Sequence, residues 1–410
     1  MWRFYLSLFA TMNSKERLLL LTLAAINFTN IMDFMIMMPL GPQLMRIFDI
    51  NTQQFGLVVS SYTFSAGFSG FCTAFFIDKF DRKRFLQVLY AGFLVGTLAC
   101  GLANSYELLM IARIFTGLFG GVLGAVILAI VGDVIPFERR GQAMGFVMAA
   151  FSIASVLGVP FGLRIANEFG WNTPFLVLAL LALPVQFFIY KFVPNLSTHT
   201  HAGKQVQVLQ VIKNITSSPN QRKAITLMMV VMFGHFSIIP FLSPYMVSNV
   251  GFTEGQLEQI YFFGGLSTIV TSPLIGKLAD RIGKLKVFTI FVSISCIPVL
   301  FITNMPRVDI WIALIATSVF FAVSSGRFIP AQAMVTATVE PQNRGSFMSI
   351  VSSMQQLSAG LASYIAGLVV IKQANGEMLH YNWVGVMSVT AAIITLFLVR
   401  RITAADGSKF

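Results

Sequence analysis

An all-α membrane protein, with twelve transmembrane helices in two pseudo-symmetric six-helix bundles, is the fold class this sequence predicts. Three observations carry that expectation. The composition is too poor in charge for a water-facing surface. Apolar stretches of membrane-spanning length alternate with short basic segments. The two halves of the chain repeat each other's landmarks.

Of the 410 residues, 56% are hydrophobic and 11% are charged, with a mean hydropathy of +0.77. A soluble domain carries about 25% charged residues. Stretches of about 20 apolar residues cross the hydrocarbon core as helices. Backbone groups in lipid must be satisfied within the segment or in a closed barrel. Runs such as 18–40 lack two-residue alternation, so helices are expected rather than barrel strands.

The spans are expected at 18–40, 53–77, 85–104, 107–135, 142–166 and 172–193, then at 223–248, 256–279, 286–304, 308–336, 346–371 and 382–400. This divides the chain into an N-terminal cytoplasmic segment 1–16, a bundle 17–193, a linker 194–222, a second bundle 223–402 and a cytoplasmic tail 403–410. Residues 1–11 are apolar but too short to span, and lack the features of a cleaved signal peptide. They are expected to be a start-site extension or an interfacial segment, with Met12 opening a more ordinary start.

With both termini cytoplasmic, 22 of the Lys and Arg residues fall in inside segments and four (Arg46, Arg164, Arg307, Lys372) outside. That asymmetry sets the orientation by the positive-inside rule. It also assigns the net charge of +12 to the cytoplasmic face and anionic headgroups rather than to nucleic acid. Cys72, Cys100 and Cys296 lie within spans at no metal or redox spacing, and are expected to be small packing residues.

The internal repeat is read from two landmarks. Asp78 and Lys79, followed by Asp81, Arg82 and Lys83 after the second span, match Asp280, Arg281, Gly283 and Lys284 after the eighth, at an offset of 202. Pro136 through Arg139, Arg140 and Gly141 match Pro341 through Arg344 and Gly345, with Arg140 and Arg344 at an offset of 204. Parallel six-span repeats are a transporter architecture.

On these residues the chain, over about 15–402, resembles the major facilitator superfamily. The stretch Gly276, Leu278, Ala279, Asp280, Arg281 and Gly283 fits the family's G-x-L-A-D-R-x-G signature. In the first half Ala74 and Asp81 replace its glycines. Arg113 to Gly117 is similar to the family's R-x-x-Q-G motif, with Thr116 for Gln. Gly158, Pro160 and Gly162, followed by Gly170 and Trp171, resemble a motif of the twelve-span drug–proton antiporter branch. The resemblance implies the major facilitator fold. It also implies a conformational latch at Asp78, Lys79, Arg82, Lys83 and Asp133, with Gly276, Asp280, Arg281 and Gly283 in the second half. Gly158, Pro160 and Gly162 would pack between bundles.

Asp33 is the acid placed within a span. An ionised side chain in the membrane is costly, which marks it as a functional candidate. Burial favours the neutral acid, so the group could load and release a proton as access alternates. Asn27 and Asn30 lie near its face. Arg113, which the resemblance places in the central cavity, is expected to tune it. His235, at an offset of 202 from Asp33, is either a second titrating group or a packing histidine. Arg327 either binds an anionic group of the cargo or pairs within the fold. The substrate cavity is thus expected to include Asn27, Asn30, Asp33, Arg113, His235 and Arg327.

His199 and His201 form an H-x-H without a third ligand nearby, so no metal is expected. No phosphate-binding loop and no nucleophile–base set occurs, so neither ATP drive nor enzymatic activity is expected. The expected activity is proton-coupled efflux of small apolar or amphipathic molecules by alternating access, with no cofactor beyond the proton gradient. The alternative is a proton-linked importer of a nutrient. The expected partners are the cargo, protons and the lipid bilayer, for a monomer in a bacterial-type inner membrane.

Overall fold

In the computed structural model the described residues are 12–73, 75, 80–195, 213, 215, 217–340, 344–408 and 410, with the side chains of 137 and 138 excepted. Among them the chain is almost entirely helical, with one two-stranded hairpin.

The first half holds α1 (Ser14–Ile36), a short α2 (Gly41–Ile47), α3 (Thr52–Thr73), α4 (Arg82–Leu102) and α5 (Tyr106–Val134). It continues with α6 (Phe137–Ile153), a π-helical turn Ala154–Gly158, α7 (Val159–Phe169) and α8 (Thr173–Phe192). The second half holds α9 (Pro219–Tyr245), which continues as a π turn Met246–Val250, then α10 (Leu257–Ile282) and α11 (Lys284–Thr303). Next come α12 (Ile310–Ala337), α13 (Arg344–Val369), the hairpin Ile371–Lys372 with Met378–Leu379, and α14 (Tyr381–Val399). Counting α6–α7 as one, these make twelve long helical spans among the described residues, with ends within five residues of the expected ones.

The boundaries follow local chemistry. The α1 start lies four residues earlier than expected because Asn13 and Glu16 form a reciprocal capping box, at 2.8 and 3.2 Å. Met37–Leu40 then form a turn rather than a last helical turn, and Pro42 sits in the first turn of α2. Ser218 caps α9 ahead of Pro219, so this helix takes in the end of the expected linker; residues 196–212, its centre, lie outside the described set, with His199 and His201. The expected N-terminal segment likewise gives up residues 14–16 to α1. The tail is docked. Thr403 exchanges hydrogen bonds with Asn220 at 2.7 and 2.9 Å, and the Ala405 N–H donates to the Ala337 carbonyl at 2.9 Å.

Ten helical stretches are long and apolar enough to cross a membrane. The two other long helices, α3 and α13, are rich in Ser, Thr and Gly, and they pack against each other along most of their length. Their hydroxyls satisfy themselves on carbonyls one turn back, as Ser65 does on Ser61 and Ser363 on Ala359. Small residues permit the close approach. A Cβ added at Gly56 would stand 2.9 Å from the Ser363 carbonyl oxygen and 3.1 Å from Gly367 Cα, and one at Gly70 would meet Ser353 Oγ at 2.9 Å. The Thr52 hydroxyl donates across the same seam to the Val370 carbonyl at 2.5 Å.

The apolar cores show how the halves meet. One cluster draws on both halves, from Met32 to Val59 and from Ile238 to Tyr261, with Val299 to Phe320 and Ala366 to Val384. It lies at the end opposite the basic loops. At the basic end the halves keep separate cores, one drawn from residues 12–193 and the other from 215–402. At the joined end Phe55 meets Phe241 edge-on at 5.8 Å, and Phe34 meets Phe236 at 5.8 Å. A polar strap crosses there too. Arg46 pairs with Glu254, one contact being 3.1 Å, and Asn167 accepts from Gln43 and donates to the Glu254 carbonyl.

Gly56→Leu is expected to lower thermal stability by about 1–3 kcal/mol through overpacking of the α3–α13 seam. Gly124→Ala, where no atom stands within 4 Å of the added Cβ, should leave melting unchanged. Thermal unfolding of the purified protein compares the two.

Candidate functional site

The centre of the first bundle is polar. Asp33 lies one turn from the end of α1 and is fully buried, as is Arg113 on α5. The Arg113 Nη1 donates to Asp33 Oδ2 at 2.7 Å, and also lies 3.4 Å from the Asp33 carbonyl oxygen. Thr97 on α4 donates to the second carboxylate oxygen, Oδ1, at 3.1 Å. The guanidinium stacks over the Tyr62 ring at 4.4 Å, a cation–π contact that adds to the ion pair. Tyr62 on α3 donates in turn to Asn30 Oδ1 at 3.2 Å. Side chains from four helices therefore gather at one carboxylate, and a chain of contacts runs from it through Arg113 and, by the cation–π contact, Tyr62 to the half-buried Asn30.

Asp33 sits toward the joined end, with Phe34 beside it touching Phe236 of the other bundle. Tyr62 and Thr97 were not anticipated from the sequence. They are single polar residues in apolar or Ser/Thr-rich spans, and only their convergence on Asp33 and Arg113 marks them.

Other expected site residues separate. Asn27 is buried, and its amide donates to the Val147 carbonyl on α6 at 3.1 Å. It ties two helices of one bundle and does not join the Asp33 cluster. His235 on α9 is half-buried, stacked on Phe320 at 5.8 Å and edge-on to Phe236. Its imidazole belongs to the second bundle and makes no hydrogen bond among the described residues. Arg327 on α12 is 5% exposed and bonds Ser324 Oγ at 3.2 Å.

Of the expected inter-bundle residues Gly158, Pro160 and Gly162, the two glycines stand against α1 of their own bundle. A Cβ at Gly158 would stand 2.5 Å from Met32 Sδ, and one at Gly162 would stand 2.9 Å from Ile36 Cδ1. These glycines admit α1 within their own bundle. Pro160 cannot donate a backbone hydrogen bond, and the wide π turn just before it accommodates the loss. The same span also meets the other bundle: Ser155 and Val156 stand against Gly265 of α10, and Asn167 donates to the Glu254 carbonyl.

Of the expected latch, Asp78 and Lys79 lie outside the described residues. Arg82 Nε pairs with Asp133 Oδ2 at 2.5 Å, joining the start of α4 to the end of α5 within the first bundle. Lys83 lies over the Tyr190 ring at 5.5 Å. Gly276, Asp280 and Arg281 fall in the last turns of α10 rather than in a loop, and Gly283, at φ 98°, ends the helix. Asp280 and Arg281 are exposed, and no ion pair forms at either among the described residues. At the same end Arg139 forks onto Glu16 at 3.2 and 3.3 Å, an interaction not anticipated from the sequence. No group of three His, Cys, Asp or Glu side chains suited to a metal ion occurs among the described residues.

Two six-helix halves around buried polar clusters, with apolar cores shared at one end and separate at the other, define a multi-pass membrane transporter. The sequence profile of the Major Facilitator Superfamily matches residues 23–225 and 224–409. The chain belongs to that superfamily. It is not an enzyme.

Its relatives are distant. The MFS-type transporter YtbD of Bacillus subtilis (strain 168) is 24% identical over 375 residues, 84% of this chain and 86% of the relative. A protein named "Probable sugar efflux transporter" from Pasteurella multocida (strain Pm70) is 23% identical, over 86% of this chain and 83% of the relative. Among solved structures, a D-xylose-proton symporter aligns with a TM-score of 0.76 at 16% identity, over 96% of this chain and 99% of that one. An inward-facing, unoccupied bacterial homologue of the lysosomal transporter Spinster aligns at 0.74 and 16%, over 94% and 96%. At these identities the structural likeness establishes the fold.

Breaking a buried ion pair by removing one partner costs about 3–5 kcal/mol. Asp33→Asn and Arg113→Gln are each expected to destabilise the folded protein by that order, and the double variant by less than their sum. Chemical unfolding in detergent, run as a double-mutant cycle, measures the coupling.

Proposed function

We propose that this protein exports small amphipathic molecules in exchange for protons. The observation that carries the reading is the fully buried Asp33–Arg113 pair, held by Thr97 and Tyr62 and linked through Tyr62 to Asn30. A carboxylate in such a place is stable as an ion only while its cation stays paired. A proton arriving on Asp33 removes the charge, weakens its hold on Arg113 and frees the guanidinium to reorient under Tyr62. That change occurs beside the Phe34–Phe236 contact, where the bundles meet. Proton loading and bundle separation are thereby coupled in one place.

The basic face is cytoplasmic by the positive-inside rule, in a bacterial-type inner membrane. The separated cores at that end then correspond to an inward-facing state, with the opposite end shut by the shared core and the Arg46–Glu254 strap. The unpaired Asp280 and Arg281 fit an open latch on the cytoplasmic side. Export rather than import is favoured by relatives named as sugar efflux transporters. No cofactor takes part; the proton gradient is the driving force, and the monomer is the working unit.

The test is proton movement in proteoliposomes that enclose a pH-sensitive dye, across a panel of sugars and amphipathic compounds. Wild type should give cargo-evoked proton flux opposite in direction to the cargo, and Asp33→Asn should lose it while still exchanging cargo down its gradient. Normal coupled flux in Asp33→Asn would remove Asp33 from the mechanism. Flux in the same direction as the cargo would make the protein a symporter.

A further inference from the structure

The two bundles treat their buried arginines differently. Arg113 is neutralised by Asp33. Arg327 has no carboxylate within ion-pair distance among the described residues, although it is 5% exposed. Its one hydrogen bond joins Nη2 to Ser324 Oγ, one turn back on its own helix, and its Nε has no acceptor. A neutral hydroxyl does not offset a guanidinium charge in a membrane interior, and unpaired cations there are rare.

The direction of the side chain is set by the helix. Residues 320 and 327 are two turns apart on α12, so they share a face. Phe320 stacks on His235 of α9, which turns that face toward α9 and the half-buried imidazole. The same bundle holds two more buried polar ends without partners, Gln332 Oε1 on α12 and Gln355 Nε2 on α13. In the first bundle, by contrast, the buried arginine has a carboxylate at 2.7 Å, although its Nε too lacks an acceptor. The second bundle thus keeps a buried positive charge and spare hydrogen-bonding groups that the fold itself does not use.

We propose that Arg327 is the anion-binding point of the carrier, and that its cargo bears a carboxylate or phosphate group. The proposal rests on the reading of the protein as a transporter and names the chemical class of what it carries. Binding of the anion would supply the missing counter-charge, and departure of the anion would restore an unfavourable empty state. The site would therefore be costly to leave vacant and selective against neutral analogues of the same shape. Arg113 would supply the proton-linked charge in one bundle, and Arg327 the cargo-linked charge in the other.

The experiment is a thermal-shift measurement on the purified full-length protein in neutral detergent, without any gradient, so its outcome does not depend on proton coupling. The probes are matched pairs: gluconate with glucose, phenylacetate with phenylacetamide, and glycerol phosphate with glycerol. At least one acid at millimolar concentration should raise the melting temperature of wild type while its neutral partner does not. Arg327→Gln should weaken that response at least about tenfold in apparent affinity, and Arg327→Lys should retain part of it. Without any probe, Arg327→Gln should melt at or above the wild-type temperature, because an unpaired buried charge has been removed. A lower melting temperature for Arg327→Gln would mean that the charge is already compensated, and would overturn the proposal. It would also fail if no acid on the panel stabilised wild type, if neutral partners bound equally well, or if Arg327→Gln kept the full response. Stabilisation by added phosphatidylglycerol alone would assign the site to a lipid phosphate instead of cargo, which likewise overturns it.

Discussion

Close backbone approach is the constraint on which the rest of the structure depends. Lipid tails are as apolar as leucine, so helices in a bilayer associate through van der Waals contact and hydrogen bonds rather than through exclusion of water. The glycines of α3, α5 and α13 meet that requirement. A Cβ at Gly117 would lie 2.1 Å from Ser65 Oγ, and one at Gly121 would lie 2.4 Å from Ala66 Cα. These contacts hold α5 against α3, which places Arg113 over Tyr62 and within reach of Asp33. The seam between α3 and α13 applies the same device between bundles. The ion pair and the joint between the halves therefore share one packing logic.

Charge within the helices follows a second rule. A buried ion calls for compensation, and the two bundles differ in how far the fold itself supplies it. In the first, one carboxylate gathers an arginine, a threonine and, through the arginine, a tyrosine, from four helices. In the second, an arginine on the face that carries Phe320, which stacks on His235, has one serine for company. Sequence symmetry between the halves, evident at their loop motifs, is thus broken at their polar centres.

The twelve spans and the two-half division were legible in the sequence, and Asp33 stood out as a charge within a span, because length, hydropathy and the cost of a charge in lipid are local properties. Helix ends shifted where a cap or a proline acts over a few residues, as at Asn13, Pro42 and Ser218. The partners of Asp33 were legible only in part. Arg113 stood out as a charge, whereas Tyr62 and Thr97 resemble dozens of other residues until the fold brings them to one carboxylate. Gly158 and Gly162 were read as facing the other bundle, since a small residue signals close approach but not what approaches. That was decided by the rotation of α7 toward Met32 and Ile36.

Sequence alone determined that this chain crosses a membrane twelve times as two related halves, because each span must satisfy its own backbone and present about 20 apolar residues to lipid. It also marked the few charges that a bilayer tolerates only for a reason. Tertiary structure decided which of those charges are neutralised. It pairs Asp33 with Arg113 and leaves Arg327 without an acid, because pairing depends on helix rotation and depth, which no one-dimensional pattern encodes. It decided as well which end of the molecule is joined, since that depends on contacts between residues some 200 positions apart, such as Arg46 and Glu254.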